Sequence, residues 1–518
     1  MGASLQLIEL IAIMSNMSGP LTNHPITDNF KEWSHRVNGR KFLEQLARHA
    51  YRICNYDAVA DNYDAFHRHF GARGIIHFAV KASAEPSILK TLIARGAGFE
   101  IATYSELRLL TECGLPRNEV GARVNFGQTQ KERSDIRKAL ADGVRNFATD
   151  NVHDIRIIAE EAFKLHMDKQ SIRLQVRLFN SDSDTSGAGY SQSFNRRYGV
   201  DNEQAMQLAR NISERGMTLC GFTFHPGSGS DNPHLWDYGV RNAAILTRRV
   251  KEELGITITE LNLSGGFDPA RPIAHYSTHI LPLIDKVYAE ERAVLPGRID
   301  TEPGRWLVAN AEVLIGKVSN IKINKDGTRI VTMTTGVSEN GTLTDLGLDF
   351  DFFILEDGKA RKLVKQVHIK GNLHGRACAD FDMMAEGTPI PDELHPDNPI
   401  ADDVFVVIHG AGAYSHYMER NFWCGITPPM KMNYAEFKNC ITQEKYYQVA
   451  LVNSYAERSG LPLKNAMSFI NNSTHSNIGQ IKGAEIAQIL DNPELLNKLG
   501  LHILTSVAAF VKEHSERS

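Results

Sequence analysis

The chain has 518 residues and a mass of 57.7 kDa, with 57 Lys plus Arg against 61 Asp plus Glu and a formal charge of −4. Its length suits one large domain with extensions, or two to three domains, and the near-balanced charge argues against a nucleic-acid binder. No apolar stretch reaches the length of a membrane span, and six cysteines without a CxxC pair argue against a disulfide framework, so a reducing, cytoplasmic setting is expected.

Residues 1–25 read as a variable arm. The opening MGASLQLIELIAIMSNMSG is apolar, but it lacks a basic start and contains an acidic residue, so it reads poorly as a signal peptide. A helical pattern follows from Phe30 to Ala50, then a short strand over 52–57. From residue 58 the chain alternates short apolar runs (IIHFAV at 75–80, GFEIAT at 98–103, ARVNF at 122–126) with amphipathic stretches whose apolar residues recur at intervals of three and four. About eight such repeats up to residue 310 predict parallel strands covered by helices, in the order of a (β/α)8 barrel. Segments such as VLIGKVSNIKIN, RIVTMTTG, FDFFILE and VFVVIHGAGAY then predict a mainly β domain over 311–440. The segment 1–57 is expected to lend its strand to that domain. Residues 441–518 return to a helical pattern, read as a C-terminal helical extension.

The 40 glycines are ordinary in number, and their placement carries the information. Gly96, Gly98, Gly114, Gly143 and Gly199 are read as helix caps, where a left-handed residue without a Cβ is favoured. Gly227, Gly229, Gly265 and Gly266 stand at strand exits, where a barrel builds its chemistry. Lys81 ends the run IIHFAVK. Alone it is an ordinary flanking charge; on a barrel rim it is also suited to forming a Schiff base with an aldehyde cofactor. His225 lies in FTFHPGSGS, and TEPGR at 301–305 sets Glu302 and Arg305 three residues apart. Two glycine nests and an arginine suit a phosphate, and a flat imidazole suits an aromatic ring. No GxGxxG follows a first strand, so pyridoxal phosphate fits better than a dinucleotide. No metal site is expected.

Eight segments carry a resemblance. RICNYD at 52–57, FAVKAS at 78–83, GFEIATYSEL at 98–107, HPGSGS at 225–230, LSGGFD at 263–268, EPGRWLV at 302–308, HGRACADFD at 374–382 and GAGAYSHYMERNF at 410–422 stand in the order and spacing of the fold-type III pyridoxal-phosphate decarboxylases. That group contains the ornithine and diaminopimelate decarboxylases. The resemblance implies an alanine-racemase-like barrel followed by a β domain, pyridoxal 5'-phosphate as cofactor, and decarboxylation of an amino acid. By position, Lys81 resembles the lysine that holds the cofactor, and His225 the residue stacked on its ring. Ser228, Gly265, Gly266, Arg305 and Tyr414 match phosphate-binding positions, and Arg177 resembles a further cofactor-proximal arginine. Glu302 resembles the carboxylate paired with the pyridine nitrogen. Such a carboxylate strengthens the ring as an electron sink and favours a decarboxylase over an amino-acid racemase. Cys378 matches the cysteine that reaches into the other subunit's site, which implies a homodimer with shared active sites.

The substrate positions depart from the pattern. After the cysteine the family carries Glu or Asp, where this chain has Ala379; Asp380 one residue further and Asp382 beyond it are candidate substrate contacts. In GVSENGTLTD, Asn340 stands where ornithine decarboxylases have Asp, with Glu339 beside it. No arginine follows between Asn340 and Glu356 to clamp a distal carboxylate, which disfavours meso-diaminopimelate. A buried ammonium without its partner is costly. An amino acid with an atypical side chain is therefore expected, with an ornithine or lysine type as the alternative. Retention of Lys81, His225, Glu302 and Arg305 argues against a catalytically inert regulator.

Overall fold

The computed structural model describes residues 50–180, 197–337, 348–356, 359–378, 382–415 and 430–433. The arm and helix expected over 1–49, the candidate substrate residues Glu339, Asn340 and Asp380, and the extension expected over 441–518 lie outside the described residues.

Eight short strands run parallel in sequential order. They are β2 (His77–Ala79), β3 (Gly98–Ile101), β4 (Val124–Phe126), β5 (Asn146–Thr149), β6 (Arg173–Arg177), β7 (Thr218–Thr223), β8 (Glu260–Asn262) and β9 (Arg298–Asp300). The two edges of this sheet meet at a parallel bridge between Ile76 and Thr301, where His77 N donates to Thr301 O at 2.8 Å. Helices alternate with the strands, among them Pro86–Ala94, Tyr104–Glu112, Pro233–Leu254 and Ile273–Glu290. Their starts follow local chemistry: Thr103 and Glu106 form a reciprocal capping box at the head of Tyr104–Glu112. The expected alternation is thus present as a barrel-like parallel sheet with covering helices.

The strand side chains divide by their period of two. Phe99, Ile101, Val124, Phe126, Leu174 and Val176 are fully buried in the main apolar core. The residues between them are polar. Asn262 donates to Gln175 across the gap from β8 to β6 at 3.1 Å, and Asn125 on β4 reaches Glu302 beyond β9 at 3.0 Å. Only inward-pointing side chains can make contacts between non-adjacent strands. The barrel interior therefore carries a hydrogen-bonded polar ladder where apolar layers are usual.

The second sheet contains β1 (Tyr51–Cys54), β10 (Glu312–Ile323), β11 (Arg329–Met333), β12 (Asp349–Glu356), β13 (Lys359–Lys362), β14 (Lys365–His374), β15 (Met383–Pro391), β16 (Phe405–His409) and β17 (Met430–Asn433). Strand β1, which precedes the barrel, pairs antiparallel with β10, with Arg52 opposite Leu314. Leu314, Val331, Phe352, Val406 and Ile408 form a separate buried cluster between its strands. Strands β13, β14 and β15 were not among the segments the sequence marks as strands. The KQVHIKGNLH of β14 does place Val367, Ile369 and Leu373 at a period of two, but lysines, histidines and Gly371 interrupt it and its first half is mostly solvent-facing, so it makes no apolar run of its own.

Among the glycines read as caps, Gly96, Gly114 and Gly143 have φ of +76°, +106° and +104° after helices. Gly98 instead opens β3. Gly199, at φ +85°, follows no described helix and lies where a Cβ would strike the backbone of Leu178. No helix among the described residues is long and apolar enough to cross a membrane, and no group of three or more His, Cys, Asp or Glu among them could hold a metal ion.

Candidate active site

A cavity of about 260 Å³ opens at the C-terminal ends of the barrel strands. Lys81, Arg177, His225, Ser228, Gly265, Gly266, Glu302, Arg305 and Tyr414 all line it. The ends of β2, β6, β7, β8 and β9 bring these residues together with Tyr414, which follows β16 of the second sheet.

Lys81 sits in a single 3-10 turn directly after β2. Its side chain is 47% exposed, into the cavity it lines, and its Nζ lies 3.0 Å from Oε2 of the buried Glu100. Burial alone would favour the neutral amine. The carboxylate of Glu100, with Tyr414 and Glu302, outweighs it and holds the ammonium above its ordinary range. Burial in turn pushes the Glu100 carboxyl up, helped by Glu302 and opposed by Lys81. Gly127 makes room for Glu100, since a Cβ there would overlap the carboxylate.

His225 stands two residues beyond β7, and its Nδ1 accepts from Gly227 N at 2.9 Å. Burial first, then the positive charges of Arg177 and Lys81, lower its pKa to about 3. The ring is therefore neutral near pH 7. Glu302 is held from both sides of its carboxylate: Asn125 and Asn262 donate to Oε1 at 3.0 and 2.7 Å, and Ser264 Oγ donates to Oε2 at 2.9 Å. Those three donors fix the carboxylate's direction at the cavity wall.

On the opposite side, Arg305 Nη1 donates to Ser228 Oγ at 3.2 Å, and Nη2 lies 3.8 Å from Asp268 Oδ1. Its Nε is buried without a hydrogen-bond partner, and burial lowers the pKa of the guanidinium. Glycines surround this group. Gly229 has φ +68° and Gly266 φ +103°. A Cβ on Gly229 would sit 3.0 Å from Arg305 Nη2, and one on Gly265 would sit 3.0 Å from Glu302 O and 3.5 Å from His225 Nε2. A guanidinium beside a serine hydroxyl and glycines whose Cβ atoms would fill the space fits a phosphate. With an amine at Lys81 and an anchored carboxylate at Glu302, the set fits pyridoxal phosphate. The cradle is held from behind by aromatic packing: Phe267, next to Gly266, has its ring 5.0 Å from Phe66, 5.3 Å from Trp236 and 5.2 Å from Tyr276.

Arg177 ends β6 with its guanidinium 5.1 Å from the ring centre of Tyr198, a further cavity residue. Tyr414 enters with φ +60°, and its N donates to Ala82 O at 2.7 Å. Cys378 is exposed and is not among the residues lining this cavity. Asp382 is 1% exposed; its Oδ2 accepts from Ala377 N at 2.8 Å and its carbonyl from Gly375 N at 2.8 Å. Its carboxylate therefore braces the turn that carries Cys378. Sequence reasoning missed Glu100, Asn125, Asn262, Ser264 and Tyr198. A readable signal existed for the first three, a polar residue inside an otherwise apolar strand run; for Ser264 and Tyr198 there was none.

The family described as pyridoxal-dependent decarboxylase, pyridoxal binding domain, matches residues 56–309. The chain is 25% identical over 274 residues to a lysine/ornithine decarboxylase of Selenomonas ruminantium, a match covering 52% of this chain and 64% of that protein. Among solved structures, the arginine decarboxylase of Paramecium bursaria Chlorella virus bound to agmatine superposes with a TM-score of 0.59 at 20% identity, over 72% of this chain and 93% of the other. Diaminopimelate decarboxylase from Helicobacter pylori complexed with L-lysine superposes with a TM-score of 0.62 at 18% identity, over 76% and 93%. At these identities the superpositions show a shared fold. The family match over residues 56–309, with the ordered motifs and the cavity they form, places the chain among the fold-type III pyridoxal-phosphate decarboxylases.

Proposed function

We propose that the protein is a pyridoxal-phosphate-dependent carboxy-lyase that removes the α-carboxylate of an amino acid. The observation that carries this reading is the convergence of Lys81, the anchored Glu302 and the Arg305–Ser228 cradle on one cavity. Pyridoxal phosphate supplies an electron sink for the pair left on Cα when the carboxylate departs. The chain's residues do the rest. Lys81 binds the cofactor through Nζ, and must first lose the proton for which Glu100 Oε2, 3.0 Å away, is the acceptor. Glu302 holds a proton at the pyridine nitrogen. His225, being neutral, would lie against the cofactor ring without placing another cation beside it. Ser228, Gly265, Gly266, Arg305 and Tyr414 bind the phosphate, and Arg177 adds positive charge on the cofactor side.

Cys378 serves as proton donor to Cα. Its exposure and its absence from its own chain's cavity lining support a homodimer in which each Cys378 turn completes the partner's site. We read Glu339, Asn340 and Asp380 as substrate contacts; Asp382, expected from the sequence as a fourth, is buried and its carboxylate braces the turn by accepting from Ala377 N. The substrate is an amino acid with an atypical side chain, in preference to meso-diaminopimelate. Ornithine or lysine is the alternative.

A screen for CO2 release over diamino, acidic, aromatic and carboxylated-adduct amino acids, in both α configurations, tests the reading. Release from at least one substrate that disappears in Lys81→Ala supports it. Loss of optical activity without gas would instead identify a racemase on the same scaffold.

A further inference from the structure

We propose that a buried ion pair between β1 and β10 is a positioning device for the cofactor cavity, acting on Tyr414 through Ser415. Arg52 on β1 and Glu312 at the start of β10 are ion-paired, each side chain 1% exposed. From the same Nη1, Arg52 also donates to Ser415 Oγ at 2.6 Å and to Ala411 O at 3.5 Å. Ser415 is itself 1% exposed and directly follows Tyr414. Tyr414 has φ +60°, a region disfavoured for an aromatic residue and kept only where the surroundings over-determine it.

Two anchors supply that constraint. On the cavity side, Tyr414 N donates to Ala82 O at 2.7 Å, one residue from Lys81. On the far side, Arg52 holds Ser415 and Ala411. Gly412 lets the segment lie close between them: its N donates to Ala309 O at 3.1 Å, and a Cβ there would overlap Val308 O. A buried ion pair contributes little stability beyond what an apolar pair of similar size would give. What the planar guanidinium adds is direction, because its donors have fixed geometry. Here one of those donors serves a hydroxyl adjacent to a cavity residue. The strand that precedes the barrel thereby reaches the cofactor site through the second sheet.

This inference rests on the reading of Tyr414 as a cofactor contact. It is tested by titrating the apo protein with pyridoxal phosphate, following the visible circular dichroism of the bound cofactor, with the thermal midpoint of each apo variant measured alongside. Tyr414→Phe and Ser415→Ala should each weaken binding by about 10-fold, the scale of one lost hydrogen bond to a charged group. The double variant should be no weaker than the weaker single one, since both act on one contact. The apo midpoint of Ser415→Ala should stay within about 4 °C of wild type. Ser415→Ala with wild-type affinity beside a weakened Tyr414→Phe would overturn the inference and leave the cofactor reading standing, as would fully additive losses. Wild-type affinity in Tyr414→Phe, or no binding by the wild type, would remove the reading and the inference together.

Discussion

Lys81 and Glu100 face each other at 3.0 Å, and the proton between them decides whether the amine can act. Glu100→Gln keeps the shape but removes the acceptor and the charge that hold the ammonium. The variant should lose about 100- to 10,000-fold in the rate at which cofactor attaches, the usual scale for general-base removal, while the same stopped-flow trace reports unchanged final occupancy. His225 makes a different prediction. Its pKa of about 3 means the ring stays neutral from pH 5 to 8, so cofactor affinity over that range should show no step with the ordinary histidine midpoint. A step that vanished in His225→Gln would contradict the stated environment. At this scale the sequence exposed Lys81, His225, Glu302 and Arg305, because each sits in a run of glycines or at the end of an apolar strand. Glu100 is the single charged residue of the run GFEIAT. Its importance depends on a neighbour 19 positions away, and that adjacency exists only once β2 and β3 pair.

The segment after β8 shows how an element's packing sets a site. Phe267 joins Phe66, Trp236 and Tyr276, and the residue before it is a glycine of the phosphate cradle. Phe267→Ala should cost about 3–5 kcal/mol of stability, the range for emptying a buried aromatic site, and calorimetry of the apo protein would measure it. The second sheet responds to acid. Asp351 on β12 is buried and paired with His409 and Lys362, at 3.2 and 2.8 Å; despite opposing burial, these partners lower its pKa to about 2 from 3.8. A depressed folded-state pKa stabilises the fold above the unfolded value and is lost as pH falls through the folded one. Unfolding of wild type should therefore steepen between pH 4 and 2, and Asp351→Asn should flatten that slope in a denaturant series. An unchanged slope would contradict the pairing. The strands around this pair were only partly legible. Strand β12 announced itself as FDFFILE, whereas the alternating Val367, Ile369 and Leu373 of β14 are set among charged and polar residues and its first half is mostly solvent-facing.

Across the whole molecule, the barrel supplies the cavity, while the second sheet supplies Tyr414 and carries the Cys378 turn. Order of motifs made that division legible from sequence. The route by which β1 joins the second sheet was legible only as a strand lacking a barrel partner; its ion pair with β10 is a tertiary contact 260 positions apart. If Cys378 serves the partner's cavity, mixing inactive Lys81→Ala chains with inactive Cys378→Ala chains should restore up to about a quarter of the sites under random exchange. No recovery with subunit exchange verified by mass would contradict shared sites. The central claim is that Lys81, in this cavity, is the residue that holds pyridoxal phosphate. Borohydride reduction of the cofactor-loaded protein, followed by peptide mass mapping, tests it most directly. The account predicts a reduced pyridoxyl group on the peptide containing Lys81 and on no other lysine; attachment elsewhere, or none at saturating cofactor, would contradict it.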